Sequence, residues 1–202
     1  MKSVLKIALA SALVANSAFA MNFFAGASIG TAANTLKPTY TNTEEKKSTS
    51  TVNISSLNFG LEGGAVFNLA DSFHMTAEAF VGFDMLNAKE KNYGYKAKNG
   101  ISFGLQTKGM YAVSDNAKLY GLLGLGMMKM TNKVDEFDLS KNSLFASFGV
   151  GAEFMVMDNF GMYTEFAYVM PFSKLKETKE DKSALEVKRS QYQVKAGFRY
   201  FF

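Results

Sequence analysis

Apolar residues alternate with small or polar residues in eight separate segments of this 202-residue chain. The final segment shows the pattern plainly, with Val194, Ala196, Phe198, Tyr200 and Phe202 at every second position. A period of two places successive side chains on opposite faces of a β-strand, so the pattern predicts eight two-faced strands. The predicted strands cover residues 22–31, 52–66, 73–86, 101–112, 118–130, 143–156, 160–170 and 191–202.

The connections between these strands alternate in length. Three are short, at residues 68–72, 113–117 and 157–159, and each contains Asp followed by Ser or Asn, which suits tight turns. The other four are long and rich in Lys, Glu, Asn, Ser and Thr, and they cover residues 32–51, 87–100, 131–142 and 171–190. This rhythm predicts an up-and-down arrangement with short turns at one end and long loops at the other.

The predicted strands have the length needed to cross a bilayer at a tilt, and a closed barrel leaves no unpaired backbone edge in lipid. A soluble β-sandwich or lipocalin-like barrel is the alternative, because alternation alone does not say which face is inside. Charged residues in the clear strands fall opposite the apolar stripe, and the long polar loops fall at one end. We therefore predict an all-β, eight-stranded antiparallel transmembrane barrel with short periplasmic turns and four long extracellular loops.

The first twenty residues resemble a secretory signal peptide. Lys2 and Lys6 form a positive start, a short apolar run follows, and Ala18-Phe19-Ala20 has the form of a signal-peptidase site. We predict cleavage after residue 20 and a mature barrel over residues 21–202. The remaining net charge is too small to indicate nucleic acid as a partner.

Charged side chains on the polar face are predicted to share a narrow height inside the barrel. Their distances from the short turns correspond to a layer about 10 Å thick. An eight-stranded interior is just wide enough for side chains to fill. We predict one connected ion-pair cluster formed by Glu62, Glu78, Lys108, Glu153, Glu165, Lys195 and Arg199. The lumen is thus predicted to be polar and the cluster is interpreted as a plug, with a gated ion path or a catalytic acid pair as the alternative.

No motif for catalysis, a metal or a cofactor is evident. The single histidine, His74, lies beside a short turn, at the wrong end of the barrel for an enzyme acting on the outer leaflet. We therefore predict a protein that is not an enzyme and binds no cofactor. One long loop is basic and aromatic, and its candidate contact residues are Lys89, Lys91, Tyr93, Tyr95, Lys96 and Lys98.

The C-terminal sequence Gly197-Phe198-Arg199-Tyr200-Phe201-Phe202 and the loop rhythm resemble small eight-stranded outer-membrane barrels of the OmpA transmembrane-domain and OmpX type. The resemblance spans the whole mature chain. It implies a Gram-negative outer membrane with periplasmic termini. It also implies that Phe198, Tyr200 and Phe202 form the signal read by the barrel-assembly machinery.

Function is then assigned to the loops, because rigid scaffolds usually carry function there. We expect a surface protein with a structural and interaction role, adhesin-like or antigen-like, in contact with outer-membrane lipid and lipopolysaccharide. A host or cell-surface ligand is a further expected partner. The alternative is a narrow passive porin for small solutes or ions.

Overall fold

The computed structural model describes residues 21–41, 47–84, 88–90, 95–134, 137–178 and 184–202. Eight long strands build the molecule, and three short ones extend its extracellular end. The long strands are β1 (Met21–Thr41), β3 (Val52–Ala70), β4 (Phe73–Asp84), β6 (Tyr95–Ser114), β7 (Ala117–Val134), β8 (Phe137–Met157), β9 (Phe160–Pro171) and β11 (Ala184–Phe201). The short strands are β2 (Lys47–Thr49), β5 (Ala88–Glu90) and β10 (Leu175–Thr178). Among the described residues, no helix has the length and apolarity to cross a membrane.

The long strands form a closed antiparallel ring in chain order. Each pairs with its neighbour in sequence, and β11 returns to pair with β1 from Phe24↔Phe201 to Thr41↔Ala184. The eight-stranded up-and-down barrel predicted from the sequence is confirmed. The two-residue turns at residues 71–72, 115–116 and 158–159 join neighbouring strands, and each follows a register shift in the preceding strand.

The strands extend farther into the predicted loops than the alternation indicated. β1 continues ten residues past its predicted end at residue 31, and β7 and β8 stay paired up to Val134↔Phe137. Much of the predicted loops 32–51, 131–142 and 171–190 is therefore paired strand. Polar residues fit there because the backbone ladder needs no apolar face once the strand has left the hydrocarbon region.

The two faces of the barrel are opposite in character. Leu105, Leu123 and Leu125 point outward and are 68%, 65% and 64% exposed. Arg199 and Lys108 point inward, and each is 0% exposed. A soluble barrel would bury the leucines and hydrate the charges, so this inversion excludes the soluble alternative.

Glycines inside the barrel make room for large aromatic side chains. Tyr120 of β7 is directly opposite Gly151 of β8, and Tyr163 of β9 is opposite Gly197 of β11. A Cβ at Gly151 would overlap the Tyr120 ring, and a Cβ at Gly197 would lie 2.6 Å from Cζ of Tyr163. Both tyrosines are buried, and each ring lies inside the barrel over the glycine of the neighbouring strand.

Replacing Gly151 with Val should destabilise the barrel by about 1–3 kcal/mol, because the added side chain would overlap the Tyr120 ring and the backbone carbonyl oxygen of Thr164. The matched control is Gly121→Val, since Gly121 faces outward and its added Cβ would meet only the carbonyl oxygen of Gly149 at 3.9 Å. Urea unfolding in lipid vesicles would measure both. Equal destabilisation of the two variants would show that the space under the ring is not what the glycine provides.

Candidate functional site in the barrel lumen

Arg199 on β11 lies at the centre of a buried ionic network. Its Nε is 2.7 Å from Oε1 of Glu62, its Nη1 is 3.0 Å from Oε2 of Glu153, and its Nη2 is 2.9 Å from Oε1 of Glu78. Three carboxylates from three other strands thus converge on one guanidinium. The planar fork of arginine suits this task because its N–H groups point in fixed, divergent directions.

Aromatic rings enclose the same guanidinium from the sides. Its Cζ lies 4.5 Å from the ring centroid of Phe24 and 4.9 Å from that of Tyr163. Both distances lie within the range of cation–π attraction. The rings exclude water from the ion pairs, and the low local dielectric strengthens the attraction between their charges.

Lys108 on β6 continues the network toward the extracellular end. Its Nζ is 3.4 Å from Oε2 of Glu78 and 3.1 Å from Oε2 of Glu165. The ammonium also lies 4.8 Å from the ring centroid of Tyr120 and 4.9 Å from that of Tyr163. Lys108 therefore links the carboxylate shared with Arg199 to a second carboxylate.

Glu165 on β9 links this pair to the last predicted cation. Its Oε1 is 3.3 Å from Nζ of Lys195, whose side chain is 24% exposed. The seven side chains predicted from the sequence thus occupy one continuous network. Four carboxylates in it face three cations, and they come from six of the eight long strands.

Neutral side chains hold the most connected carboxylate in place. Thr76 donates its hydroxyl to Oε1 of Glu78 at 2.7 Å, and Gln106 donates its amide to Oε2 at 2.6 Å. Glu78 is 2% exposed and bonds to two cations and two neutral donors. A buried carboxylate is tolerated only with such a complete set of partners.

An apolar layer fills the lumen on the extracellular side of the ionic network. Its side chains all point inward and are at most 8% exposed. The layer consists of Leu36, Val52, Ile54, Met128, Met130, Phe145, Val169, Leu185 and Val187, with Phe80 packed against it. The prediction of a polar lumen therefore holds at the level of the ionic network and is wrong at this second level. Most of these residues lie where the sequence suggested loops or strand ends, so their inward direction was not read from the pattern.

A small cavity separates the two layers. Its volume is about 60 Å³, and its lining includes Glu165 and Lys195 of the network and Met128 and Phe145 of the apolar layer. Asn58 also lines it, with an amide nitrogen that is buried and has no hydrogen-bond partner among the described residues. The space is large enough for water, and its walls offer polar partners for it.

A buried arginine that the sequence reasoning missed lies at the level of the apolar layer. Arg189 on β11 is 8% exposed and donates from Nε to Oδ1 of Asn34 at 3.1 Å. Asn34 in turn donates to the carbonyl oxygen of Ile54 at 3.3 Å. Arg189 stands in the predicted loop 171–190, but alternation with buried Val187 and Gln191 could have placed it inside.

His74 lies near the periplasmic turn and away from the network. Its Nδ1 is 2.7 Å from Oδ1 of Asn68 on the neighbouring strand. This neighbour orients the ring, and no acid–base partner for catalysis is placed against it among the described residues. The described part of the chain also holds no cluster of three or more His, Asp or Glu arranged to bind a metal.

The other predicted site residues that the structure describes lie at the two ends of the barrel. Phe198, Tyr200 and Phe202 face outward at the periplasmic end, where the Tyr200 and Phe202 ring centroids are 5.3 Å apart. The backbone nitrogen of Phe202 donates to the carbonyl oxygen of Phe23 at 2.9 Å and so continues the closing ladder. Of the basic loop residues, Lys91 and Tyr93 lie outside the described residues. The backbones of Lys89, Tyr95, Lys96 and Lys98 belong to β5 and β6.

Comparison with known proteins agrees with this architecture. A family model described as the outer membrane protein β-barrel domain matches residues 7–200. The chain belongs to this outer-membrane β-barrel family. It is therefore a protein of the Gram-negative outer membrane. No curated protein matches the sequence.

Solved structures of small outer-membrane barrels are similar to this chain at low sequence identity. OprG from Pseudomonas aeruginosa is 15% identical, with a TM-score of 0.56, over 91% of this chain and 97% of that one. Ail from Yersinia pestis is 19% identical, with a TM-score of 0.47, over 88% and 98% of the respective chains. Neisserial surface protein A is 13% identical, with a TM-score of 0.49, over 89% and 97%. The likeness to OprG supports the fold of this family member.

Replacing Arg199 with Leu should lower the free energy of unfolding by about 3–5 kcal/mol, because three buried carboxylates lose their shared cation. Lys195→Leu should cost only about 1 kcal/mol, since Lys195 makes one ion pair and its side chain is partly exposed. Thermal or urea unfolding in vesicles would measure both. A smaller loss for Arg199→Leu than for Lys195→Leu would contradict the central position of Arg199.

Proposed function

We propose that this protein is a surface-exposed structural and interaction protein, adhesin-like or antigen-like, with a plugged lumen. The single observation that supports this proposal is the filling of the lumen by two successive layers of buried side chains. The ionic network closes one level, and the apolar layer closes the next. Two filled levels among the described residues obstruct the passage of solutes, which supports a role in what the barrel presents outside the cell.

The two layers resist ions in different ways. An ion entering the network must displace a bonded carboxylate or cation, and an ion entering the apolar layer must give up its hydration among mostly apolar side chains. In this proposal the seven network residues form a structural plug. Burying their charges costs desolvation free energy, which the ion pairs among them offset by neutralising the buried charge. The same contacts fix the strand register.

The second candidate is a narrow passive pore. The cavity of about 60 Å³ between the layers favours it, because it shows that the lumen is not packed solid along its whole length. A pore would require both layers to open in concert. Conductance measurements separate the two proposals directly.

In planar bilayers the purified protein should show no discrete openings. Arg199→Leu should remain closed because the apolar layer is intact, and Leu36→Ser with Val187→Ser should remain closed because the ionic network is intact. The triple variant should conduct, since both barriers are then weakened. Reproducible openings of the unaltered barrel would overturn the plugged-lumen proposal and favour the pore.

Partners on the proposed interaction surface include lipopolysaccharide and a host or cell-surface ligand. The basic loop with Lys89, Lys91, Tyr93, Tyr95, Lys96 and Lys98 is the proposed contact region for the latter. Cells displaying the barrel with residues 89–98 replaced by a short turn should bind host cells less than cells displaying the intact barrel at equal surface level. Unchanged binding would place the contact elsewhere.

The C-terminal aromatic residues are proposed as the signal for the barrel-assembly machinery. Deleting Phe202 should reduce the amount of folded protein in the outer membrane several-fold, whereas Phe154→Leu should not, although Phe154 is also an exposed aromatic residue at the periplasmic end. Heat-dependent gel migration of membrane fractions measures the folded amount. Equal levels for the deletion and the intact chain would remove the assembly role from Phe202.

A further inference from the structure

Two lysines lie directly opposite each other on the outer face of the β1–β11 pair. Lys37 and Lys188 are register partners, and both side chains are exposed. They point away from the lumen, because the adjacent Leu36, Val187 and Arg189 are buried. Like charges directly opposite each other destabilise an antiparallel ladder, and a bound anion between them would remove that repulsion.

The pair lies just above the apolar belt of the barrel. Tyr192, the outward aromatic four residues farther along β11, is 46% exposed and has its ring centroid 4.9 Å from that of Tyr168. Such outward aromatics mark the membrane interface. Four residues of a tilted strand correspond to about 10 Å along the membrane normal, so Lys188 lies at the level of the outer headgroups.

The neighbouring carboxylate does not neutralise this pair. Nζ of Lys174 lies 3.0 Å from Oε1 of Glu186, and Lys176 is its register partner on β10. The hydrogen bond from Lys174 lowers the pKa of Glu186. The positive charges of Lys174, Lys188 and Lys176 lower this pKa further. One carboxylate is thus shared among three lysines, and the described surface here carries excess positive charge.

A row of hydroxyl groups lies beneath the two lysines. Thr35 and Ser190 are register partners one step nearer the apolar belt on the same outer face. Thr35 donates to Oδ1 of Asn53 at 3.0 Å, while the half-buried Ser190 offers a further hydroxyl beside Lys188. Two ammonium groups and a hydroxyl are donors suited to the oxygens of a phosphate.

We propose that Lys37, Lys188 and Ser190 form a binding site for a phosphate group of the outer-leaflet glycolipid. The site faces the bilayer at headgroup height, which favours a lipid-borne phosphate over a soluble one. The inference rests on the proposed contact with lipopolysaccharide and names its place on the barrel. The site is separate from the lumen, and none of its three residues belongs to the predicted loop 87–100.

The test measures binding of bisphosphorylated lipid A, and of its dephosphorylated form, to the refolded full-length barrel in neutral detergent micelles. The barrel should bind the bisphosphorylated form at least tenfold more tightly. Lys37→Gln with Lys188→Gln should weaken that binding about tenfold or more, since each lysine near an anionic lipid surface adds to the attraction. Lys37→Arg with Lys188→Arg should bind like the unaltered barrel, because both charges remain.

Lys129→Gln is the matched control. Lys129 is also an exposed outward lysine, but its register partner is Asn142 instead of a second lysine. Its loss should weaken binding less than threefold. An equal loss from Lys129→Gln, or unchanged binding of the double Gln variant, would overturn the site.

A further arm separates the two sources of phosphate. Inorganic phosphate at the same phosphate concentration should not displace the lipid, and equal competition would overturn the assignment to membrane lipid. Host-cell binding and bilayer conductance of the double Gln variant are measured alongside. If these stay at the level of the intact barrel while lipid binding is also unchanged, the lipid site fails and the proposed surface function stands.

Discussion

Backbone hydrogen bonding in a medium without water is the constraint on which the rest of this structure depends. Each unpaired N–H or C=O group in the hydrocarbon region costs several kcal/mol, so a sheet in lipid must close on itself. Pairing of β11 with β1 supplies that closure from Phe24↔Phe201 to Thr41↔Ala184. Once the ring is closed with eight strands, one face of every strand must meet lipid, and the other must fill a narrow interior.

The narrow interior explains why charge is buried at all. Residues facing inward cannot reach bulk water through a filled lumen, so any ionisable group there needs partners from the surrounding strands. Arg199 obtains three carboxylates because strands on different sides of the ring all face its guanidinium. Glycines opposite Tyr120 and Tyr163 are part of the same solution, because they let large rings lie close to the wall and cover the ions.

Much of this arrangement could be predicted from the sequence. The parts that could not be predicted escaped the pattern for physical reasons. A period of two assigns the residues of an identified strand to its two faces, so the pattern predicted the seven charged residues of the network. The same rule applied to Leu36, Leu185 and Val187, but polar neighbours hid the alternation and made those segments look like loops. The pattern also does not predict which inward residues touch across the lumen, because strand register and tilt together determine those contacts. The ion pairs of Glu78 with Arg199 and Lys108 are an example.

Lysine shows how position in the barrel, more than residue type, determines what a side chain does. Lys108 is 0% exposed, lies between two carboxylates and two tyrosine rings, and serves only the interior of the protein. Lys37 and Lys188 occupy the opposite face, above the aromatic belt, and face each other where the one nearby carboxylate, that of Glu186, is shared with Lys174 and Lys176. Charges placed inward are matched by the strands themselves, whereas charges placed outward at headgroup height are left to be matched by the membrane. This difference between inward and outward charges follows from ring closure. Closure gives every strand an inner face that contacts only protein and an outer face that contacts the membrane.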